Sequence, residues 1–376
     1  MGEDRLLNPA MRQTLVAQPT RFAGLPRPIA RVVLAAVALL ILASLLAIGS
    51  PVSGGPATAP GEARLTDLAL YTGIVDAIRH GDGYYQAAAD ALRAGGYPLR
   101  PFVTFRLPTL AVIQATLPGP ILVLLQWALV AAVLFAWWHR VAPALTRPPA
   151  KVGALLLLAG GTVAGWQYAL APFHELWAGL FIALSLALRT RERWTEAVAF
   201  ALAAALIRET ALLYLLVMAA IALVEGRRRE ASGWAAAIGA FAIAVLAHAY
   251  AVDQVVRSLD PESPGWSGLL GPGFVGSALA TSTAMTALPV AVAAPLIALS
   301  LVGWVGWRDE SGVRVAATWL AYALLLSVAA RAENFYWALL IAPVSLAGLI
   351  FVPDALRDLI AAALDRRRIT VRRVVR

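Results

Sequence analysis

Residues 195–224 read TEAVAFALAAALIRETALLYLLVMAAIALV, thirty residues in which only Glu196 and the adjacent pair Arg208-Glu209 are charged. An apolar run of about 20 residues is enough to cross a bilayer as a helix. Two shorter runs meeting at Arg208-Glu209 therefore read as membrane-embedded helices with a charged break between them. Ionisable groups at membrane depth are costly, so the break is a candidate site as well as a turn.

The rest of the chain fits that setting. Of 376 residues, 60% are apolar and 14% charged, and the mean hydropathy is +0.73. A soluble domain carries about 45–50% apolar and about 25% charged residues. The composition excludes an ordinary cytosolic enzyme, a disordered chain and a nucleic-acid binder, in spite of a net charge of +9. Cysteine is absent, which removes disulfides, thiolate metal sites and cysteine nucleophiles. Lys151 is the one lysine among 31 cations; basic charge on so apolar a chain belongs to loops facing anionic lipid.

Ile29–Ile48 is the first apolar run, read as an uncleaved anchor because it is too long for a signal peptide. Further runs follow at 119–138, 152–170, 174–189, 195–207, 210–224, 234–252, 282–305, 315–330 and 335–352. Positive clusters at Arg140–Lys151, Arg189–Arg193, Arg227–Arg229, Arg308–Arg314 and Arg357–Arg376 fall between alternate runs, as cytoplasmic loops should. Arg21, Arg27 and Arg31 place the N-terminus on the same side. The expectation is an all-α polytopic membrane protein of about ten transmembrane helices, within a range of about eight to twelve. It divides into a cytoplasmic N-terminal segment at 1–28, a transmembrane module at 29–352 with a periplasmic loop at 50–118, and a basic cytoplasmic tail at 353–376. Segments 166–175, 208–209, 253–281 and 331–337 become outward turns. Abundant Arg and Ala fit a bacterial inner membrane.

The loop at 50–118 is more than a connector. Pro51–Gly61 is rich in Pro, Gly and Ala, but Thr66 then reads as an N-cap, with Asp67 in the first turn. Leu68, Tyr71, Val75 and Ile78 recur at helical spacing, predicting an amphipathic helix to about Arg79. His80-Gly-Asp82-Gly is a turn, Tyr84–Ala94 a second helix closed by Gly95-Gly96, and Leu107–Leu117 a surface helix bracketed by prolines.

Three polar groups lie at the rims of apolar runs: His174-Glu175, Arg208-Glu209, and Arg331 with Glu333 and Asn334. The arginine pattern puts all three on the side of the first loop. Each has a plain structural reading too, as a turn, a snorkelling cation or an interfacial histidine, and Asp67 and Asp82 double as helix-start and turn residues. Two arginines together suit a phosphate, whose oxygens match the guanidinium fork.

With these elements in place the sequence resembles the GT-C superfamily of membrane glycosyltransferases, nearest to the branch with protein O-mannosyltransferases and the lipid A aminoarabinose transferase. Asp67-Leu-Ala-Leu-Tyr71 and Asp82-Gly-Tyr84-Tyr85 resemble the acidic and tyrosine pattern of the family's first outer loop, and Arg106-Leu-Pro108 its surface helix. His174-Glu175-Leu176 is similar to its acidic outer turn, Leu206-Ile-Arg208-Glu209 to the phosphate-contacting basic element, and Arg331–Trp337 with Pro343 to the start of its last span. The doubled Asp-Glu motif of the O-mannosyltransferases is absent.

The resemblance implies a GT-C-like fold and inverting transfer of a sugar from a polyprenyl-phosphate-linked donor to a glycan, lipid or protein acceptor. Asp67 or Asp82 would be the catalytic base, and Arg208 and Arg331 would hold the donor phosphate. His174, Glu175, Glu209, Arg106, Tyr71, Tyr85 and Tyr336 would bind substrate. No cofactor is implied, and no ligand spacing compels a metal. The partners are the donor lipid, the acceptor and membrane lipids, with no nucleic acid. A transporter or flippase of a lipid-linked sugar, an acyl- or phosphotransferase using His80-x-Asp82, and a non-catalytic assembly subunit remain the alternatives.

Overall fold

The computed structural model describes residues 14–50, 52 and 67–364. The N-cap expected at Thr66, most of the Pro51–Gly61 stretch and the basic tail Arg366–Arg376 lie outside them. Among the described residues the chain is helical without a β-strand; Val16 with Leu145 and Arg100 with Glu262 form only isolated bridges.

In chain order the helices are α1 (Arg27–Ser44), α2 (Asp67–Arg79), α3 (Tyr84–Ala94), α4 (Thr109–Thr116), α5 (Gly119–Val141), α6 (Pro148–Gly161), α7 (His174–Leu188) and α8 (Thr195–Ile207). After these come α9 (Leu212–Val224), α10 (Arg228–Asp253), α11 (Gly271–Thr281), α12 (Val290–Gly306), α13 (Glu310–Ala329), α14 (Ala342–Ser345) and α15 (Val352–Leu364). Val32, Leu39 and Leu42 on α1, Phe135 on α5 and Ile243 and Leu246 on α10 are bare on the outside. Helices apolar outside as well as inside belong to a membrane-embedded protein.

The expected count of about ten spans is corrected. Four helical segments are long and apolar enough to cross a bilayer: Arg27–Gly49, Gly119–Ala144, Arg228–Asp253 and Glu310–Ala329. A fifth arises only if Ala332–Leu340 and Ala342–Leu364, bent by 69°, count as one. The other runs form helices of 13 to 17 residues, about 20–26 Å long against about 30 Å of hydrocarbon. Hydropathy ran on through the break at Gly161-Thr162 that the backbone does not bridge, whereas the break read at Arg208-Glu209 is present between Thr195–Ile207 and Leu212–Val224. The run at 335–352 is a chain of short 3₁₀ and α pieces. Part of the expected outward turn 253–281 is the buried helix α11, whose Gly273 and Gly276 sit against Leu46 and Ala294.

The first-loop expectations hold. Asp67–Arg79 and Tyr84–Ala94 are the two helices read from spacing, and Thr109–Thr116 is the third. They form a cap with its own core of Leu70, Ile74, Ala89, Leu92, Leu99 and Phe105, closed by Val252 of α10. The segment between α10 and α11 ties the cap down. Asp260 pairs with Arg93 at 2.7 Å, and Leu99 N–H donates to Pro261 O at 2.9 Å.

The body holds two polar layers. α7 runs from His174 in one to Arg189, its C-cap, in the other, and α8 returns from Thr195 to Arg208. At the Arg189 end lie described members of the basic clusters, Arg140, Arg189, Arg227, Arg308, Arg314 and Arg357. Arg189 makes paired hydrogen bonds to Glu230 (2.9 and 2.6 Å) and a third to Glu310 (2.7 Å). Arg227 joins Glu310 at 2.9 Å and Arg314 joins Glu225 at 2.5 Å. At this end a clasp closes the molecule. The backbone N–H groups of Leu15 and Val16 donate to Asp354 Oδ2 at 2.7 and 2.8 Å, and Thr20 binds Asp358 at 2.9 Å, on the helix that packs along α1.

Candidate active site

Three elements build the opposite polar layer. The first is the break between α8 and α9, where Arg208 leaves helical geometry (φ −138°, ψ 116°) and turns inward. Its Nε donates to Glu175 Oε1 at 2.6 Å and its Nη1 to Glu209 Oε2 at 2.5 Å. Its guanidinium also lies 5.4 Å from the Trp337 ring centroid, in cation–π range. The side chains of Arg208 and Glu175 are 4% and 0% exposed, so this ion triad is almost dry. Glu175 Oε2 has no hydrogen-bond partner among the described residues, nor do the ring nitrogens of His174.

The cap is the second element. Arg106, just before α4, donates from Nε to Tyr71 Oη at 3.2 Å and stands 5.9 Å from that ring. The next N–H, of Leu107, donates to Glu209 Oε1 at 2.9 Å, fixing the cap on the triad. Tyr84 Oη donates to Arg106 O at 2.5 Å. Burial pushes the phenols of Tyr71 and Tyr84 above their ordinary range, with Glu209 adding to the push on Tyr84, so both stay neutral, Tyr71 accepting from Arg106 and Tyr84 donating to its carbonyl. No hydrogen bond from Arg106 Nη1 or Nη2 occurs among the described residues, which leaves its fork open.

Segment 332–340 is the third. A Cβ on Gly179 of α7 would lie 2.0 Å from Leu339 O, so the two backbones touch where only glycine fits. That contact brings Tyr336 and Trp337 against the ion triad. Tyr336 Oη donates to Asp67 Oδ2 at 2.6 Å, Tyr97 Oη donates to Asp67 Oδ1 at 3.0 Å, and Phe173 stacks on Tyr336 at 4.9 Å. The Asp67 carboxylate, at the start of α2, thus receives one hydroxyl per oxygen. Each oxygen keeps lone-pair capacity for a further donor.

Asp67, Tyr71, Arg106, His174, Glu175, Arg208, Glu209 and Tyr336 therefore converge. His174 packs edge-on to Tyr71 at 5.1 Å. Tyr85 sits beside them, its hydroxyl 3.2 Å from His248 Nδ1. Two expected members stand apart. Asp82 is exposed in its turn, where its N–H bonds to Ala77 O, and no hydrogen bond or ion pair joins its side chain to the layer. Arg331 turns to the 254–270 segment and donates to Gly265 O, with Glu333 at 3.9 Å. The guanidinium that neighbours Arg208 in this layer, through Glu209, is that of Arg106. Tyr97 and His248 carry no sequence signal as members, whereas Tyr84 stands in the Asp82-Gly-Tyr84-Tyr85 pattern and Trp337 in the aromatic run 335–337, which reads equally well as an interfacial belt.

Among the described residues no group of three or more His, Asp or Glu is arranged to hold a metal ion. The layer carries three carboxylates and two guanidiniums, with one carboxylate oxygen and one guanidinium fork unused. That is the equipment for proton transfer beside anion binding. Neither a protein-family model, nor a curated protein, nor a solved structure matches the chain.

Proposed function

We propose that the chain is a membrane glycosyltransferase of GT-C type, moving a sugar from a polyprenyl-phosphate-linked donor to an acceptor hydroxyl. The observation that carries it is the meeting of Asp67, Arg106, Arg208 and Tyr336, four residues spread over 270 positions, at one end of the helices. The arginines gathered at the other end support reading that end as cytoplasmic, and with it a site on the periplasmic side of a bacterial inner membrane.

The open fork of Arg106 receives the donor phosphate, and its charge stabilises the leaving group as the anomeric C–O bond breaks. Arg208, already held by two glutamates, adds positive potential and positions Trp337 rather than forking the phosphate itself. Asp67 takes the proton of the acceptor hydroxyl while that oxygen bonds to the anomeric carbon. The phosphate leaves with the electron pair, and the sugar inverts. Tyr97 and Tyr336 hold the carboxylate in one orientation for that transfer. The isoprenoid tail runs along the exposed apolar helix faces.

The test is release of polyprenyl phosphate from a labelled donor by the purified full chain in lipid nanodiscs. Release that needs both Asp67 and Arg106 is expected. Intact donor with every polyprenyl-phosphate sugar tried would sink the reading, and donor movement across the bilayer without bond cleavage would convert it to transport.

A further inference from the structure

Beside the active layer, on another face of α2, is a cavity of about 220 Å³. Gln114, Leu122 and Ala171 form its floor, and Asp76, Arg79 and Tyr168 its rim. At about 30 Å³ per water it holds about seven waters, the room of one pyranose rather than of a lipid tail.

Its chemistry is specific. Gln114 is 5% exposed and donates Nε2 to Ala171 O at 2.7 Å. None of the hydrogen bonds among the described residues uses its Oε1, so a buried amide keeps an idle acceptor in the wall. Arg79 donates to Gln114 O at 2.8 Å and is 3.4 Å from Asp76 Oδ1. The guanidinium is thereby neutralised by its own neighbour, and the rim presents a balanced pair where an anion site would present net positive charge. Donors and acceptors interleaved around an apolar floor, with the 40%-exposed ring of Tyr168 at the edge, suit the hydroxyls and the apolar face of a neutral sugar.

Place fixes the role. Asp76 follows Asp67 by nine residues on one helix, about 13 Å of rise. A sugar in the cavity is too far from Asp67 to be the one attacked. The Ala171-Pro172 wall leads within two residues to Phe173 and His174 of the active layer. We infer that the cavity binds a neutral pyranose of the acceptor remote from the reacting hydroxyl, so that the acceptor is a glycan longer than one sugar. This rests on the transferase reading for its role, but not for the binding itself.

The experiment uses the full chain in nanodiscs. Saturation-transfer NMR with neutral methyl pyranosides reads binding, and polyprenyl-phosphate release to water reads the donor half-reaction. Thr72→Trp fills the mouth from an exposed helix position, and Gln114→Leu removes the idle acceptor. Expected are pyranoside binding by the wild type, its loss in both variants, no competition from inorganic phosphate, unchanged donor release, and melting unchanged in Thr72→Trp and lowered slightly in Gln114→Leu, which also loses its bond to Ala171 O. Transfer to an oligosaccharide relative to a monosaccharide should fall about tenfold or more in Thr72→Trp, the cost of one or two polar contacts. Binding that is absent in the wild type, survives both variants or is displaced by phosphate overturns the inference. Pyranoside binding lost in both variants, with no donor release by the wild type, upholds the saccharide site and removes the transferase reading instead.

Discussion

The two polar layers share a vocabulary, buried arginine and glutamate, and use it differently. Around Arg189 each guanidinium nitrogen has a carboxylate partner, with two bonds to Glu230 and one to Glu310. Arg227 and Arg314 close the remaining carboxylates into a network. Around Arg208 the acids outnumber the bases, Glu175 Oε2 has no partner, and the fork of Arg106 is unused. A buried ion is tolerable when its partners are complete and expensive when they are not. Both layers keep buried atoms without a hydrogen bond among the described residues, Arg227 Nη1 and Arg314 Nε in the first and Glu175 Oε2 in the second; what sets the second apart is that it leaves a carboxylate oxygen and a guanidinium fork open together, a donor site and an anion site for a ligand.

That contrast breaks most readily at Asp67. Asp67→Asn keeps the shape and removes the base, and transfer should fall about 10²–10⁴-fold with the melting temperature unchanged. A variant with full activity would leave the second layer as structural as the first. Arg189→Ala should do the reverse: it removes both charge-assisted bonds of the buried Glu230, leaving Glu310 to Arg227, costs about 3–5 kcal/mol of stability, and leaves turnover per folded molecule untouched, as denaturation and active-site titration would show. Arg106→Ala should weaken donor binding by about 10–100-fold, the worth of one or two charge-assisted bonds, with Arg106→Lys recovering part of it as a point charge. Arg331→Ala should stay within about 0.5 kcal/mol of wild type in stability and in donor binding. Equal losses from the two arginines would restore Arg331 as a phosphate ligand.

The smallest effect tests the cap's anchorage. A side-chain hydrogen bond from Arg93 and the N–H of Arg257 hold the Asp260 carboxyl down at about 2, below its ordinary 3.8. A depressed carboxylate lends its stabilisation above the unfolded value and loses it as pH falls through the folded one. Hydrogen exchange in α3 and residues 254–262 should therefore quicken between pH 4 and 2. In Asp260→Asn it should be fast already at neutral pH.

What the sequence disclosed follows from what each signal measures. Spacing of Leu68, Tyr71, Val75 and Ile78 reports a helix face directly, and α2 has the bounds it implied. Arginine clustering reports depth, and the described members of the clusters do share one end. Neither signal reports position around the bundle, which is why Arg331 and Asp82, at the right end, point elsewhere. Window hydropathy averages over helix breaks, so 152–170 and 335–352 read as longer spans than the backbone makes. Arg106 was within reach as a member of the site, but not its place beside Arg208, because the Tyr71 contact depends on how the cap folds back over α7.

The clasp at Asp354 has a consequence for biogenesis. Val16 waits 338 residues for the carboxylate that holds it. Every intervening helix must be inserted before α1 is locked alongside α15, so the translocon releases an open ring that seals last. A chain truncated before Asp354 would keep α1 against α12 and lose the partner that fixes Leu15 and Val16.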